Sequence, residues 1–329
     1  MSIVTIQVGQ CGNQVGKTLF EILANEFSHS ENSVYFEQIF HRFFYKNLKN
    51  KAYARAILID SEEKVVSSCF SLKYDWAYND KLSLCQSTGA GNNWASGYTS
   101  WKAQSIEELL RISVELCDNF CGFLLLGSGA GGTGSGSGSK ISEVICDEYP
   151  NAVFCHQIIW PHFSGEISVQ QYNLILSLAH AVELSNEIIV GFNDVIRSIC
   201  HLRLNIKNVN THNLNDVLCH NVAGILIRST NNYEFLPPDL TLHSGFKFLT
   251  MYSAPFQAEV CLPYANDRWE ALIRRTRQMV LSGSAIDETI DWSLKPNDKN
   301  SQKSVGNFVV ARGTDADTVK FNDFQVKDI

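Results

Sequence analysis

The segment Gly127-Ser-Gly-Ala-Gly-Gly-Thr-Gly-Ser-Gly-Ser-Gly-Ser139 decides how this chain is read. It follows the apolar run Phe123-Leu-Leu-Leu126 and leads into Ile141, Val144 and Ile145 at helical spacing. A flexible linker would not interrupt a strand–helix unit. Glycines let the backbone approach a ligand closely and take conformations closed to other residues. Successive N–H groups running into a helix N-terminus make an anion site suited to phosphate. The loop therefore reads as a phosphate cradle at the end of a buried strand.

The same alternation continues outward on both sides. Ile3 to Val8 reads as a strand, followed by a helix with Val15, Leu19, Ile22 and Leu23 on one face. Ala54 to Ile59 is a second run, ending in Asp60, and Ile106, Leu109, Leu110 and Ser113 mark a further helix. Beyond the loop, Val153 to Ile159 is a strand, Tyr172, Ile175, Leu176, Ala179 and Val182 mark the helix after it, and Ile188 to Val190 is one more strand. Strands alternating with helices predict a mostly parallel sheet covered on both faces, an α/β domain. A helix marked by Leu214, Val217, Leu218 and Ile225 follows, and then the pattern changes. Residues 229–265 hold four of the seven prolines and read as short strands and turns. Trp269, Leu272, Ile273, Thr276 and Val280 mark an amphipathic helix with Arg274, Arg275 and Arg277 on its wet side. A polar linker over 293–304 and a final strand over Phe308 to Ala311 complete the pattern. The expected division is an α/β domain over 1–205, a central helix over 206–228 and a smaller domain over 229–329.

Composition narrows the function classes. With 45% hydrophobic and 19% charged residues in 329, most of the chain is neither disordered nor coiled coil. The net charge of −7, without a basic block, speaks against nucleic acid as a partner. The uncharged stretch Asn119 to Ser139 is long enough to cross a bilayer, but seven glycines and four serines fill its second half, so no membrane contact is expected. The N-terminus lacks the basic and apolar regions of a signal peptide. Ten scattered cysteines without a CxxC pair read as reduced thiols of a cytosolic protein.

Neither common nucleotide motif fits the loop. Gly127, Gly129 and Gly132 match G-x-G-x-x-G, but the next strand ends Ile158-Ile-Trp-Pro-His162 without the acid that would hold a ribose. A dinucleotide-dependent oxidoreductase is accordingly a remote alternative. No G-x-x-x-x-G-K-[ST] can be drawn, since Lys140 follows Ser139. Two further glycine turns, Val8-Gly-Gln-Cys-Gly-Asn-Gln14 and Gln86-Ser-Thr-Gly-Ala-Gly-Asn-Asn-Trp-Ala95, also join strands to helices. Asp60 and Glu62 end the second strand. In an open α/β sheet the C-terminal strand ends face one crevice, so all four turns converge on one ligand. Two carboxylates beside phosphates fit a water-mediated Mg2+ site.

In order and spacing, Gly9-Gln-Cys-Gly-Asn-Gln14, Gly89-Ala-Gly-Asn-Asn-Trp-Ala95 and Ala130-Gly-Gly-Thr-Gly-Ser-Gly136 resemble the tubulin family, and the resemblance extends to about Gly313. Met1-Ser-Ile-Val-Thr5, Arg277-Gln-Met279, Ile290-Asp-Trp292 and Asn307-Phe-Val-Val-Ala-Arg-Gly313 resemble its delta branch most. The resemblance implies a tubulin-like GTPase domain with a doubly wound, mostly parallel sheet, a central helix and an incomplete α+β second domain. It also implies GTP or GDP with Mg2+. By motif, Gly9, Gln10, Cys11 and Gln14 would line the nucleotide, with Gln10 at phosphate. Ala90, Gly91 and Asn92 would face the γ-phosphate. Ser128, Ala130, Gly131, Gly132, Thr133, Gly134, Ser135 and Gly136 would hold the phosphates. Asp60 and Glu62 would sit at Mg2+, Glu166 in the ribose loop, and Asn193 and Asn215 at guanine. An amide suits the last task because it both donates and accepts, although either asparagine alone would read equally as a helix cap.

Departures from the family pattern accompany these matches. Glu63 replaces the usual proline, Gln170 stands where a ribose-binding glutamate is usual, and Thr211 stands where a guanine-stacking aromatic is common. The resemblance implies head-to-tail contact with other tubulins and an acidic residue supplied in trans for hydrolysis. In the shortened stretch 231–242 only Glu234 or Asp239 could serve, so at most a weak GTPase, completed by a neighbour, is expected. The chain also stops before the family's terminal helices and acidic tail, which reads as a shortened form. The function implied is a guanine-nucleotide-binding structural subunit of microtubules, acting with centriolar or basal-body proteins in triplet microtubules and cilia. Cytoplasm, cytoskeleton, centriole, basal body and cilium are the implied locations, with a nuclear pool left open. A degenerate tubulin-like scaffold without nucleotide is the alternative.

Overall fold

The structure is a computed structural model that describes residues 2–29, 33–71, 74–165, 167–227, 238–241, 243, 245–264 and 268–313. Ten strands form two sheets: β1 (Ser2–Val8), β2 (Phe44–Lys46), β3 (Ala52–Ala54), β4 (Ala56–Asp60), β5 (Trp76–Ala77), β6 (Ser83–Cys85), β7 (Phe120–Ser128), β8 (Val153–Trp160), β9 (Glu187–Phe192) and β10 (Phe248–Thr250). Seven of them make one wholly parallel sheet in the order β10-β9-β8-β7-β1-β4-β6. All seven residues of β1 are buried, as a central parallel strand with both faces covered requires. The other three, β2-β3-β5, form a small side sheet.

The ten α-helices among the described residues are α1 (Gly9–His29), α2 (Ser33–Phe43), α3 (Glu63–Phe70), α4 (Trp94–Thr99), α5 (Ala103–Glu115), α6 (Gly138–Glu148), α7 (Gln170–Leu184), α8 (Asn193–Ser198), α9 (Thr211–Leu226) and α10 (Trp269–Ser282). Strand residues alternate between faces, and two cores result. Leu58, Leu124, Leu126, Cys155 and Ile189 pack on one side with Val15, Leu19 and Leu23 of α1 and Val217, Leu218 and Val222 of α9. Ile6, Val8, Ile57, Ile59, Phe123 and Leu125 pack on the other with Ile106 and Leu110 of α5 and Ile141, Val144 and Ile145 of α6. This is the doubly wound α/β architecture that the alternating pattern predicts.

Helix α7 exists where its apolar stripe predicts it, but the stripe faces outward. Tyr172 is 72% exposed and Ile175 64%, and Leu176 and Val182 are also exposed. The inner side carries Gln170, Asn173 and Ser177 together with Leu174 and Ala181. The reason lies in what the helix covers. At its N-terminal half it meets polar backbone from two loops, and only farther along does it meet Ile158, Ile188 and Val190 of the sheet.

The later segment departs from its pattern in three places. No strand forms over Phe308 to Ala311, because those residues find no ladder partner among the described residues. Arg312 Nε instead donates to Gly224 O of α9 at 3.1 Å. Arg275 is half-buried rather than on the wet side, with Nη1 3.6 Å from Asp287. Residues 248–250, from the expected second domain, supply the edge strand β10 of the main sheet. Among the described residues, no helix is long and apolar enough to cross a membrane.

Candidate functional site

The turns that follow β1, β4, β6 and β7 meet at one edge of the sheet. Asn13, fully buried, donates from Nδ2 to Gly9 O (2.9 Å) and Ile59 O (3.3 Å), tying the first turn to the end of β4. Ser61 Oγ and Thr133 Oγ1 lie 2.5 Å apart, joining the acidic turn to the glycine loop. Gln86 N donates to Asp60 O and Gly89 N to Ser61 O, each at 3.1 Å, which brings the third turn against the second.

Glycine is required at several of these contacts. Gly9 has φ +73°, and a Cβ there would lie 3.0 Å from Gly134 N. A Cβ on Gly97 would lie 2.1 Å from Gly132 O, and one on Gly136 2.1 Å from Trp94 O. The glycine loop is thus pressed against the start of α4. It runs through a wide π-turn over Thr133–Ser137 into α6, so the first N–H groups of that helical run have no partner within it. Gly91 and Gly131 behave differently. A Cβ on Gly91 would have nothing within 4 Å, and one on Gly131 would meet only Asn92 Oδ1, at 4.0 Å. Both glycines border open space.

Asp60 is 3% exposed, and its Oδ2 has no hydrogen-bond partner, while Oδ1 accepts from Glu62 N at 3.3 Å. Burial pushes this carboxyl up to about 6, and the neighbouring Glu62 carboxylate adds to the effect. Glu62 is exposed, with Oε1 3.6 Å from where a Gly89 Cβ would stand. No cluster of three or more His, Cys, Asp or Glu side chains able to hold a metal occurs among the described residues. A bare protein cage is therefore absent there, and two carboxylates beside open space suit a cation that keeps most of its waters. Cys11 lies in the first turn of α1, and burial pushes its thiol up to about 12, so it stays a neutral neighbour.

Gln10 is exposed, and Gln14 is half-buried one turn further along α1. Ala90 is buried, and Asn92 has φ +53°. Ser128 Oγ accepts from Ala130 N at 3.2 Å, and Ser135 Oγ donates to Gly131 O. Asn193 opens α8 directly after β9, half-buried, and α8 packs on α9, where Asn215 is 9% exposed. Asn215 caps no helix; Asn210 and Asn213 form the capping box of α9. Glu166 and Glu234 lie outside the described residues, and of Asp239 only the backbone, in a short 3-10 turn, is described.

Sequence reasoning missed the roles of His162, Asp194 and Asn173. His162 Nδ1 lies 2.6 Å from Asp194 Oδ1, and Phe163 N donates to Asp194 Oδ2 at 2.9 Å, fastening the loop after β8 beside Asn193. The His162 hydrogen bond holds the Asp194 carboxyl below its usual range. Gln170 donates from Nε2 to His162 O at 3.1 Å, so its amide is engaged by the same loop. Asn173 connects α7 to two of the glycine turns. Nothing in the spacing of these residues marks them, because their partners stand far away in sequence.

A parallel, doubly wound sheet with three glycine turns and a carboxylate pair at its C-terminal edge defines a nucleotide-binding protein of the GTPase kind. The chain belongs to the tubulin family: the Tubulin/FtsZ family, GTPase domain, matches residues 2–201. Within it the chain is delta-tubulin-like. It is 35% identical to the tubulin delta chain of Macaca fascicularis and 34% identical to that of Homo sapiens, in each case over 99% of this chain and 80% of that protein. Similarity to the tubulin gamma chain of Saccharomyces cerevisiae is 34% over 71% of this chain and 51% of that protein. Membership of a GTPase family implies GTP or GDP as the ligand.

Proposed function

We propose that the crevice binds GTP or GDP as its Mg2+ complex and that the bound nucleotide governs head-to-tail contact with other tubulins. One observation carries the reading: four turns, far apart in sequence, close on open space bordered by Gly91 and Gly131, beside a buried carboxylate with one oxygen, Asp60 Oδ2, left without a partner. In this reading Gln10, Ser128 and Ala130 to Gly136 hold the phosphates, and Ala90, Gly91 and Asn92 border the γ-phosphate. Gly9, Cys11 and Gln14 lie along the nucleotide, Asn193 and Asn215 read guanine, and Glu166 belongs to the ribose loop. Asp60 and Glu62 hold Mg2+ through water. Mg2+ bound there neutralises charge on the phosphate oxygens. Gln170, engaged by His162 O, weakens the grip on the ribose rather than on the phosphates.

A head-to-tail contact is heterologous and builds open filaments. Hydrolysis, in this reading, is weak and depends on a neighbour's acid, with Glu234 or Asp239 the residues this chain would lend in turn. The similarity to tubulin delta chains supports a cytoskeletal place, and we extend it to centrioles, basal bodies and cilia, with their proteins as partners. The test is to purify the chain with Mg2+, denature it and identify released nucleotide by chromatography. Near-stoichiometric GTP or GDP, lost in Glu62→Ala, is expected. A folded, monodisperse protein without nucleotide would overturn the reading and leave a scaffold.

A further inference from the structure

Asn173 stands in the inner face of α7, 3% exposed, and all of its amide is used. Its Oδ1 accepts from Trp94 N at 3.1 Å. Its Nδ2 donates to Asn92 O at 2.8 Å and to Ala130 O at 2.7 Å. The orientation of the amide is fixed by these partners, since a backbone N–H can only donate and two carbonyls can only accept. One side chain therefore ties the turn Gly91–Trp94 to the glycine loop, across 81 and 43 residues of sequence.

The tied turn runs through Gly91 and Asn92, successive residues in the left-handed region at φ +57° and +53°, which glycine and asparagine tolerate better than other residues. The carbonyl that Asn173 grips belongs to Asn92 itself. From the other side, Trp94 Nε1 donates to Ser139 Oγ at 3.1 Å, and Ser139 Oγ donates to Ser135 O at 2.8 Å. The two loops so fixed are the ones whose glycines border the open space. Aspartate could accept from Trp94 N but would face two carbonyls without a proton to offer.

We infer that Asn173 is a positioning residue for the terminal phosphate: its amide sets the distance between the Gly91–Asn92 turn and the glycine loop, and so the preference between nucleoside triphosphate and diphosphate. This rests on the reading of the crevice as a guanine-nucleotide site. GDP engages the glycine loop and the first turn but not the Asn92 turn, whereas GTP also needs the Asn92 turn in place. Loosening the tie therefore weakens GTP more than GDP.

The test is displacement of N-methylanthraniloyl-GDP from the full chain by GTP and by GDP, in Mg2+, for wild type, Asn173→Asp and Ser139→Ala. Two buried hydrogen bonds are lost in Asn173→Asp, and affinity for GTP is expected to fall about tenfold further than affinity for GDP. Ser139→Ala, which removes one tether of the same turn, is expected to change the ratio in the same direction by about threefold. Because each ratio is taken on one protein, general loosening of the fold cancels from it. If Asn173→Asp does not fold, Ser139→Ala decides alone. An equal fall for both nucleotides, or no fall for either, overturns the inference. A wild type that binds neither nucleotide refutes the proposed site instead.

Discussion

Asp60 is where stability and the proposed function oppose each other. The side chain is 3% exposed, one carboxylate oxygen has no partner, and burial lifts its pKa from 3.8 to about 6. At neutral pH the nucleotide-free fold thus holds a buried charge that backbone hydrogen bonding compensates only in part. A rise of about two pH units corresponds to about 3 kcal/mol. The amide introduced by Asp60→Asn still lacks one partner, which takes back about 1–2 kcal/mol. The net expectation is that Asp60→Asn stabilises the nucleotide-free protein by about 1–2 kcal/mol at neutral pH, a few degrees in melting temperature. The sign of the pH dependence follows from linkage. An acid whose pKa is raised on folding contributes stability that is complete below its unfolded pKa and is lost as pH rises through the folded one, here about 6. Wild type should therefore lose stability between about pH 4 and pH 7, and the substitution should flatten that fall. Glu187, raised to about 7 by burial, keeps a slope of the same sign in both proteins. Adding Mg2+ and GDP should reverse the ranking, since only wild type gains the full stabilisation that a ligand confers on the folded state. Thermal unfolding with and without Mg2+ and GDP measures all of this. An Asp60→Asn protein that melts at or below wild type without ligand, or gains as much from Mg2+ and GDP, refutes the reasoning.

Three further outcomes follow from the same structure. Gly97→Ala forces a Cβ to within 2.1 Å of Gly132 O and should destabilise by about 2 kcal/mol or more, whereas Gly224→Ala in α9, with nothing within 4 Å, should stabilise by up to about 1 kcal/mol. Chemical denaturation of the two variants compares them directly. Glu187→Gln should leave stability nearly unchanged near pH 5 and raise it by about 1–2 kcal/mol at pH 8, because the wild-type carboxyl, raised to about 7 and with Oε2 unpartnered, costs the fold stability as pH rises toward that value. Urea midpoints at the two pH values check this, and equal effects at both would contradict it. With iodoacetamide at pH 8 the exposed Cys261 should be alkylated first, and Cys11, its thiol pushed up to about 12, should resist. Peptide mass spectrometry orders the ten sites, and early loss of Cys11 would contradict its raised thiol pKa.

The strand–loop–helix grammar was legible because it is local. An apolar run that ends in glycines and then resumes at helical spacing has few other foldings, and three such units in register specify a parallel sheet with a crevice at one edge. Gly9 and Gly132 could be recognised as constrained positions without knowing what they press against, whereas Gly97 emerged only from its contact with Gly132 O. The direction of α7 could not be read the same way. Its strongest apolar stripe, Tyr172, Ile175, Leu176 and Val182, points to solvent, because hydrophobic periodicity assumes an apolar partner and this helix lies against polar backbone. Phe308 to Ala311 failed for a related reason: an apolar run becomes a strand only if a neighbour supplies the ladder.

By itself, then, the sequence determined the family, the parallel α/β sheet and the turns that form the candidate site, since each of these is written in a few adjacent residues. Only the tertiary structure decided that Asn173 joins two of those turns, that His162 meets Asp194, that residues 248–250 complete the sheet, and that Asp60 is buried with one oxygen unpartnered. Those features depend on which distant groups arrive within hydrogen-bond reach, or fail to. That is settled by the packing of whole helices on the sheet, and no window along the chain contains it.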